Sequence, residues 1–366
     1  MNEAAEQRVV LYVGTYTRPA PYLKTSNGQG IYSFNLDLAT GLLSPLGEML
    51  NIDSPSYLAI SHDKRTLYAV SEVWLWQEGT ITAYRIDQQT GTLTYINKQP
   101  TLGSITAYAE LDEANHFVMA ANYWDGQTAA IFPLRADGGV LPASDSVFHA
   151  GKSEPGQDKA HGHCIITDPT NTWVYVTDLG IEETVCYRLD HQHGRLVLHD
   201  SLEFLAGTGP RHMVFHPNSR FAYVIGELNN TITSLAFDAE TGALTAFQTV
   251  PTLPEGTPSD PPSYASDIRI HPSGKFLYGS NRGHDSLVIY AVNEESGRLT
   301  YVGHQATQGS YPRNFAIDPT GTYLLVGNQN SGSIVSFRID AQTGLLDPTG
   351  QITSVPTPAC LKLVTL

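Results

Sequence analysis

The tetrapeptide TGLL at residues 40–43 is the first of seven related turns that establish the architecture of this chain. The later copies are TGTL at 90–93, GGVL at 138–141, HGRL at 193–196, TGAL at 241–244, SGRL at 296–299 and TGLL at 343–346. Six intervals separate Gly41 from Gly344, which gives a mean period of 50.5 residues. Self-similarity at such a period is typical of a β-propeller or a solenoid.

Each repeat contains four short runs of β-forming residues that are separated by turns. In the second repeat these runs are PSYLAISHD at 55–63, TLYAVSE at 66–72, GTITAYRID at 79–87 and LTYINKQP at 93–100. Short alternating runs bounded by turn residues are typical of strands, and four such strands make one propeller blade. The sequence therefore predicts an all-β, seven-bladed β-propeller with four antiparallel strands per blade.

The two ends of the chain are predicted to share one blade. The C-terminal segment PTPACLKLVTL at 356–366 resembles a first strand with no strand after it, and VVLYVGTYT at 9–17 resembles a second strand with none before it. Pairing them would close the ring and cover two open strand edges. We expect a short N-terminal extension at 1–8 and a single propeller domain at 9–366.

The composition excludes several classes of partner. Apolar residues make up 41% and charged residues 16% of the chain, with 32 Gly and 22 Pro, which suits short strands joined by turns. The net charge of −15 disfavours nucleic acid. No uninterrupted apolar run approaches the roughly 18 residues of a membrane span, so no membrane association is expected. A small molecule remains as the expected partner.

The cysteines and the N-terminus indicate a cytoplasmic location. Cys164, Cys186 and Cys360 form no CxxC motif and cannot all pair, so reduced thiols are expected. The first residues, MNEAAEQRVVLYVG, lack the basic and apolar regions of a signal peptide. The sequence does not distinguish a monomer from a weak dimer.

Alignment of the repeats predicts which side chains face the central channel. The residues at the end of the second strand are all polar: Thr15, Glu72, Asn122, Asp178, Glu227, Asn281 and Asn328. At the start of the innermost first strand, the repeats that can be aligned contain Ser56, His163, Arg211, Ser266 and Arg313. These two sets should surround one mouth of the channel.

Basic residues, histidines and a glutamate concentrate in three of these repeats. GPRHMVFHP and VIGELNN supply Arg211, His212 and Glu227, whereas AHGH supplies His161 and His163. SNRGHDS adds three more residues, Arg282, His284 and Asp285. Convergence of these groups in an otherwise acidic molecule predicts a site at the mouth. Aromatic residues are expected to form its walls: Trp74, Trp76, Tyr123 and Trp124.

Structural roles are open for several of these residues. Arg211 and Arg282 could merely neutralise acidic groups around the channel, and Glu227 could cap a loop amide. His161 fits loop packing as well as it fits the site, while the register favours His163 for the site. His216 and His271 recur before proline in equivalent turns and are interpreted as turn residues.

No metal and no cofactor are predicted. His161 and His163 lie two residues apart and could hold a divalent ion together with a channel carboxylate. The neighbouring arginines would repel a cation, and no second tight cluster of ligands is present. GxGxxG, GxxxxGK[ST] and GxSxG motifs are absent, which disfavours nucleotide cofactors and a serine nucleophile of the elbow type.

Several short motifs, taken in order along almost the whole chain, carry a family resemblance. VGTYT, AHGH, TDLG, GPRH, GEL, SNRGHDS and YPR together resemble the bacterial 6-phosphogluconolactonases of the cycloisomerase-2 type. That family is similar to the fungal carboxy-cis,cis-muconate lactonizing enzymes. The resemblance implies a propeller that acts on a lactone and, by motif, implicates His163, Arg211, Glu227 and Arg282.

The resemblance implies hydrolysis of 6-phospho-D-glucono-1,5-lactone to 6-phosphogluconate in the pentose phosphate pathway. Such hydrolysis needs a base for water and positive charge at the carbonyl oxygen. Glu227 is preferred as the base, with His163 orienting water or protonating the leaving group and Arg211 stabilising the oxyanion. The residues expected to bind substrate, with Arg282 and Arg313 at the phosphate, are Arg282, His161, His212, Asp285, Arg313, Asn122 and Glu72.

Two alternative functions follow from the same residues. One is a cycloisomerase or hydrolase that acts on another sugar lactone or on a muconate-type lactone, because arginine binds carboxylate and phosphate alike. The other is a propeller without catalytic activity that binds ligands or proteins on its faces. Convergence of Arg, His and Glu at one mouth favours an enzyme over such a binding module.

Overall fold

The computed structural model describes residues 8–152, 159–260 and 262–366. Within these ranges, 28 strands form seven four-stranded antiparallel sheets, and no helix long and apolar enough to cross a membrane is found. The predicted seven-bladed propeller is confirmed. Residues 1–7, which make up most of the expected N-terminal extension, lie outside the described residues.

The strands are between three and nine residues long. In chain order they are β1 (Val9–Thr15), β2 (Gly30–Leu36), β3 (Leu43–Leu50), β4 (Leu58–Ile60), β5 (Thr66–Ser71), β6 (Thr80–Ile86), β7 (Leu93–Pro100), β8 (Thr106–Leu111), β9 (Phe117–Asn122), β10 (Ala129–Pro133), β11 (Asp145–Val147), β12 (Gly162–Thr167), β13 (Trp173–Asp178) and β14 (Glu183–Asp190). They continue as β15 (Arg195–Glu203), β16 (Pro210–Phe215), β17 (Phe221–Gly226), β18 (Thr231–Phe237), β19 (Leu244–Pro251), β20 (Tyr264–Ile270), β21 (Phe276–Arg282), β22 (Ser286–Val292), β23 (Leu299–Ala306), β24 (Pro312–Ile317), β25 (Tyr323–Asn328), β26 (Ser333–Ile339), β27 (Leu346–Ser354) and β28 (Pro358–Thr365). Blade 1 consists of β28, β1, β2 and β3, and blades 2 to 7 each take four consecutive strands from β4 onward.

Each of the seven recurrent turns joins the third and fourth strands of one blade and packs against a neighbouring blade. The glycine of the last turn, Gly344, has φ +74°, and a Cβ atom there would lie 2.4 Å from Cδ1 of Phe276 in blade 6. The buried Tyr278 hydroxyl donates a 2.8 Å hydrogen bond to the Gly344 carbonyl. Glycine is therefore required by both conformation and close approach. Four other tyrosine hydroxyls make the same link, Tyr12 to Gly91, Tyr68 to Gly138, Tyr175 to Gly242 and Tyr223 to Gly297.

The apolar core lies between adjacent blades and surrounds the channel. The second strand of every blade is buried along its whole length, as in β5, β9 and β17. The fourth strands form the outer edge and alternate between half-buried and exposed residues, as in β7. The core also contains the three cysteines, which are buried free thiols: Cys164, Cys186 and Cys360.

A β-bulge at the start of the first strand directs side chains into the channel. The register shifts between Gly162 and Cys164, between Pro210 and His212, and between Pro312 and Asn314. Because a bulge opposes an extra residue to its partner strand, it re-aims that side chain. The extra residues are His163, Arg211 and Arg313. Comparable shifts in the blades that could not be aligned by sequence place Ala107 and Ala359 at this position.

The ring is closed by pairing of the two ends of the chain, as predicted. β1 and β28 are antiparallel, with Val9 opposite Thr365 and Thr15 opposite Pro358. We expect deletion of residues 358–366 to leave the edge of β1 unpaired and to cause unfolding or aggregation, since an open edge in the core is costly. Circular dichroism and gel filtration would detect the loss, and an added peptide of residues 356–366 should restore part of the fold. A truncated chain with an unchanged melting temperature would contradict this expectation.

Candidate active site

A cavity of about 260 Å³ lies at the mouth where the second strands end. Its charged and titratable lining residues are Glu72, His163, Glu227, Arg282 and Arg313, and its walls include Tyr22, Trp74, Tyr123, Trp124, Tyr264 and Tyr311. A larger groove of about 510 Å³ lies at the opposite ends of the strands between blades 2 and 3, but its lining contains no histidine and no glutamate. The smaller cavity is therefore the one of the two in which histidine and glutamate side chains lie beside arginines.

Glu227 lines the cavity and has contacts to arginine at one of its two carboxylate oxygens. It directly follows β17, where its backbone N–H donates to the Gly209 carbonyl at 2.8 Å. Oε2 lies 2.7 Å from Nε of Arg211 and 3.0 Å from Nη2 of Arg282. The Nε–H of Arg211 is not directed at this oxygen, so the contact is an ion pair without a well-aligned hydrogen bond. Oε1 has no hydrogen-bond partner within the described chain, and the side chain is 16% exposed.

The two arginines keep Glu227 ionised. Burial by itself would raise the pKa of this carboxyl group, but the positive charges of Arg282 and Arg211 outweigh burial and lower the pKa below its usual value of 4.5. Glu227 is thus a carboxylate throughout the neutral range. A group in this state can accept a proton from water, although the arginines make it a weak base.

Arg211 lies behind Glu227 and does not line the cavity. Its side chain is almost fully buried, and Nη1 donates to the Ser266 carbonyl at 2.8 Å. The same nitrogen lies 3.0 Å from Nε2 of His212. Burial, followed by the charge of Arg282, lowers the pKa of Arg211 to about 10, so the guanidinium stays charged near neutral pH. Arg211 therefore contacts Glu227 and orients it, and it does not reach the space that a substrate would occupy.

His163 forms part of the cavity wall as a neutral imidazole. Burial, followed by the charge of Arg211, lowers its pKa well below 6.5. Its Nδ1 is buried and has no hydrogen-bond partner within the described residues. The ring packs edge-on against His212 at 5.1 Å and against Tyr123 at 5.5 Å between centroids. A neutral histidine in this position can hydrogen-bond to water or substrate but is a poor proton donor.

A second group of polar side chains lies around Glu72. The hydroxyls of Tyr16 and Tyr22 donate to its carboxylate at 2.9 and 2.8 Å. Arg313 Nη2 lies 3.9 Å from Glu72 Oε2, and its guanidinium lies over the Tyr16 ring at 5.3 Å. Among the described residues, no hydrogen-bond acceptor is found for the Arg313 guanidinium. Its donors therefore remain for an anionic ligand.

Arg282 is more fully engaged than Arg313. Its Nη2 donates to the Ala265 carbonyl at 3.1 Å and contacts Glu227, while Nε donates to the Tyr264 carbonyl at 3.4 Å. The guanidinium also lies 5.4 Å from the Tyr311 ring. These contacts keep a positive charge in the cavity wall beside the Glu227 carboxylate.

The other predicted site residues lie outside the cavity lining. His161 stacks on Trp124, and its Nδ1 lies 2.7 Å from the Tyr123 carbonyl, so it supports the aromatic wall. The Asp285 carboxylate accepts a 2.7 Å hydrogen bond from the Tyr311 N–H and thereby holds that loop. His212 is buried beneath Arg211.

Asn122 serves the interior of blade 3. Its Nδ2 donates to the carbonyls of Thr101 and Gln127, at 2.9 and 2.8 Å, and its Oδ1 accepts from the Thr106 hydroxyl at 2.7 Å. The equivalent asparagines Asn281 and Asn328 also donate to a backbone carbonyl. The asparagine at this strand end therefore makes a recurrent structural hydrogen bond in these blades. Glu72 and Glu227, at the equivalent position of their blades, do not make it.

Three tyrosines of the cavity were not predicted from the sequence. Tyr264 and Tyr311 stand two residues before Ser266 and Arg313, the same offset that His161 has from His163. This two-residue offset from the channel position could have predicted that Tyr264 and Tyr311 line the cavity. Tyr22 lies in the loop between β1 and β2, which is longer than the equivalent loops that contain Trp74 and Trp124. The expected aromatic walls Trp74, Tyr123 and Trp124 do line the cavity, whereas Trp76 is not among its lining residues.

The described residues with metal-ligand spacing lie elsewhere. Asp112, His116 and His191 come together in turns at the opposite end of the strands from the cavity. Asp112 already accepts hydrogen bonds from the backbone of Phe117 at 2.6 Å and Ala114 at 3.2 Å, as a turn cap. At the cavity itself, three arginines surround the carboxylates and disfavour a divalent cation.

Comparison with known proteins places this geometry in a family. Residues 10–363 match the model of the family described as lactonase, 7-bladed beta-propeller. A 6-phosphogluconolactonase of Bacillus subtilis is 34% identical over 300 residues, 82% of each chain, and one of Formosa agariphila is 34% identical over 314 residues, 82% of this chain and 83% of its own. The structure of a periplasmic gluconolactonase from Pseudomonas aeruginosa superposes with a TM-score of 0.90 at 32% identity, over 98% of this chain and 99% of that one. The chain belongs to the seven-bladed β-propeller lactonase family.

Proposed function

We propose that this protein hydrolyses 6-phospho-D-glucono-1,5-lactone to 6-phosphogluconate. The observation that carries the proposal is the unpartnered oxygen of Glu227, a residue that lines a cavity whose wall also contains two arginines. The names of the relatives from Bacillus subtilis and Formosa agariphila agree with this substrate. The reaction belongs to the pentose phosphate pathway, and the partner is a small molecule.

In the proposed first step, Glu227 Oε1 accepts a proton from water. The water oxygen bonds to the lactone carbonyl carbon, and the carbonyl electron pair moves onto its oxygen. Arg282 is the cation in the cavity wall nearest to Glu227, and its charge stabilises this oxyanion. Arg211 contributes from behind by holding the carboxylate, which differs from the direct oxyanion contact expected from the sequence.

In the proposed second step, the tetrahedral intermediate collapses and the bond from the carbonyl carbon to the ring oxygen breaks. The protonated Glu227 returns its proton to this ring oxygen, so the carboxylate is regenerated and the product is the open acid. His163 is neutral and acts as a hydrogen-bonding partner for water, because its lowered pKa makes it a poor acid. Strained lactones hydrolyse readily, so this sparse set of groups suffices.

Arg313 is proposed to bind the substrate phosphate. It is the cavity arginine without a hydrogen-bonded acceptor among the described residues, and its long 3.9 Å contact to Glu72 leaves its donors available. A guanidinium presents a planar pair of donors that matches two phosphate oxygens. Arg282, which was expected to share this role, is already engaged with Glu227 and two carbonyls.

The function is tested by following 6-phosphogluconate release from freshly prepared 6-phosphogluconolactone, coupled to 6-phosphogluconate dehydrogenase. We expect a rate far above spontaneous hydrolysis, and an equal rate after treatment with EDTA, since arginines surround the carboxylates. Glucono-1,5-lactone and a muconate-type lactone serve as comparison substrates. Turnover of only the unphosphorylated lactones would refute the phosphosugar assignment, and no turnover of any lactone would favour a binding protein.

The pH dependence should report the ionisation of Glu227. A base works only when ionised, and a lowered pKa keeps Glu227 ionised to lower pH. After subtraction of spontaneous hydrolysis, kcat should therefore stay level through neutral pH and decline only below pH 4.5 on the acid side. An acid limb well above pH 4.5 would instead show that Glu227 is not the base.

A cytoplasmic location is proposed as well. Three buried free thiols suit a reducing compartment. The similar gluconolactonase from Pseudomonas aeruginosa is periplasmic, so the compartment of this protein calls for a direct test. Cell fractionation with an antibody against the protein decides between cytoplasm and periplasm, and recovery in the periplasmic fraction would refute the proposal.

A further inference from the structure

A chain of buried polar contacts leads from Glu227 into the neighbouring blade. Arg211 bridges the Glu227 carboxylate, 2.7 Å from its Nε, and Nε2 of His212, 3.0 Å from its Nη1. Nδ1 of His212 lies 2.8 Å from Oδ1 of Asp267 on β20 in blade 6. Arg211, His212 and Asp267 are all buried, so these contacts are shielded from water and keep their strength.

Asp267 determines which nitrogen of His212 carries the proton. Burial would raise the pKa of Asp267, but Arg269 and His212 lower it, so this side chain is a carboxylate that can only accept hydrogen bonds. Burial, followed by Arg211, lowers the pKa of His212 to about 3, so the imidazole is neutral and has one N–H. That N–H lies on Nδ1 and points to Asp267. Nε2 then has a lone pair that accepts from Arg211.

Asp267 is itself rigidly held. Its Oδ2 accepts from Nδ2 of Asn314 at 2.7 Å, in blade 7, and from Nε of Arg269 at 3.1 Å. The side chain thus joins three blades around the channel. An acceptor fixed in this way cannot rotate to suit another tautomer of His212.

Two β-bulges make this arrangement possible. The bulge in β16 lets the consecutive residues Arg211 and His212 both take part, where a regular strand would point them to opposite faces. The bulge in β20 does the same for Ser266 and Asp267. Arg211 Nη1 donates to the Ser266 carbonyl at 2.8 Å, so both bulges converge on this guanidinium.

We propose that His212 and Asp267 are positioning residues for the carboxylate of Glu227. Asp267 selects the His212 tautomer that accepts from Arg211, and Arg211, oriented in this way, holds one carboxylate oxygen of Glu227 and leaves the other unpartnered. The inference rests on the proposed role of Glu227 as the base. Neither positioning residue is part of the cavity lining, so neither is expected to contact substrate. A carboxylate that sets the tautomer of an imidazole acts similarly in serine hydrolases.

Two substitutions of His212 separate positioning from packing. Glutamine can place an amide oxygen near the position of Nε2 and accept from Arg211. Asparagine can place its amide near Nδ1 and donate to Asp267, but it does not reach Arg211. We expect His212→Asn to lower kcat about 100-fold with KM changed less than about threefold, and His212→Gln to stay within about tenfold of the wild-type kcat. Equal kcat values for the two variants would overturn the proposal.

Nitrogen NMR of protein labelled at histidine tests the tautomer without reference to turnover. The wild-type spectrum should show His212 protonated at Nδ1 and unprotonated at Nε2. In Asp267→Asn, the amide oxygen is expected to remain with Arg269 and Asn314, so the NH2 group faces His212 and drives its proton to Nε2. This proton conflicts with the Arg211 donor, and kcat should fall about 100-fold. Protonated Nε2 in the wild type, or Asp267→Asn with unchanged tautomer, would overturn the proposal.

His216→Gln is the matched control. His216 is another buried histidine of blade 5, but its Nε2 contacts only the Gly274 carbonyl at the opposite end of the strand, at 3.0 Å. Its replacement should leave kcat unchanged. A wild-type protein that hydrolyses no lactone would refute the proposed function, whereas the tautomer measurement tests the link between Asp267 and His212 in either case.

Discussion

Replacement of Glu227 by glutamine should lower kcat by about 10³-fold and change KM by less than about threefold. Glutamine keeps the size of the side chain but has no negative charge with which to take a proton from water. The substrate contacts from Arg282 and Arg313 remain, so binding should persist. Initial rates with 6-phosphogluconolactone over a range of concentrations separate kcat from KM.

Glu183→Gln is a suitable control for this experiment. Glu183 also has a partly exposed carboxylate, 19% exposed, and an ion pair at 2.8 Å with Lys152, but it lies outside the cavity lining. Its replacement should leave both kinetic constants unchanged. If Glu227→Gln retained the wild-type kcat while the protein remained folded, Glu227 would be excluded as the base.

Replacement of Arg313 by methionine should raise KM for the phosphorylated lactone by about 30- to 100-fold. The estimate corresponds to loss of about 2–3 kcal/mol from charge-assisted hydrogen bonds to phosphate. For glucono-1,5-lactone, which has no phosphate, KM should change less than about threefold. Methionine keeps most of the apolar stem of arginine but lacks the guanidinium that lies over the Tyr16 ring, so the effect isolates the guanidinium.

Arg18→Met controls for a general loss of positive charge at this mouth. Arg18 follows β1, is more exposed than Arg313 and pairs with Asp53 at 2.6 Å, away from the cavity lining. Arg313→Lys should recover part of the affinity, because a lysine keeps the charge without the planar pair of donors. Equal losses for the phosphorylated and unphosphorylated lactones in Arg313→Met would show that Arg313 does not bind phosphate.

Alignment of the repeats predicts the position of some of the cavity residues but not of others. His163 and Arg313 occupy equivalent positions in their blades, so periodicity alone brought them to the same mouth. Alignment could not show that a β-bulge directs these side chains, because a bulge depends on how two strands pair. Alignment also could not show that Arg211 lies behind Glu227, because residues at equivalent positions of different blades can be buried to different depths.

Which arginine is available to bind phosphate also depends on the tertiary structure. The sequence assigned phosphate chiefly to Arg282, whereas the contacts leave Arg313 with the available donors. Carbonyls of Tyr264 and Ala265, which engage Arg282, belong to a neighbouring first strand that only the folded sheet brings close. Hydrogen-bond competition of this kind has no signature in the order of residues.

What the sequence determined by itself is the ring: seven turns, four strands per repeat and closure by the two ends. These features depend on local conformation and on a period, and both are written in the residues, as Gly344 with its positive φ illustrates. Only the tertiary structure decided which polar side chains contact one another and which remain available to a ligand. The contact of Asp267 with His212 spans 55 residues and two blades, and the pairing of one Glu227 oxygen with arginines depends on partners from both. Such contacts arise from side-chain depth and hydrogen-bond direction, which are established only when the blades pack together.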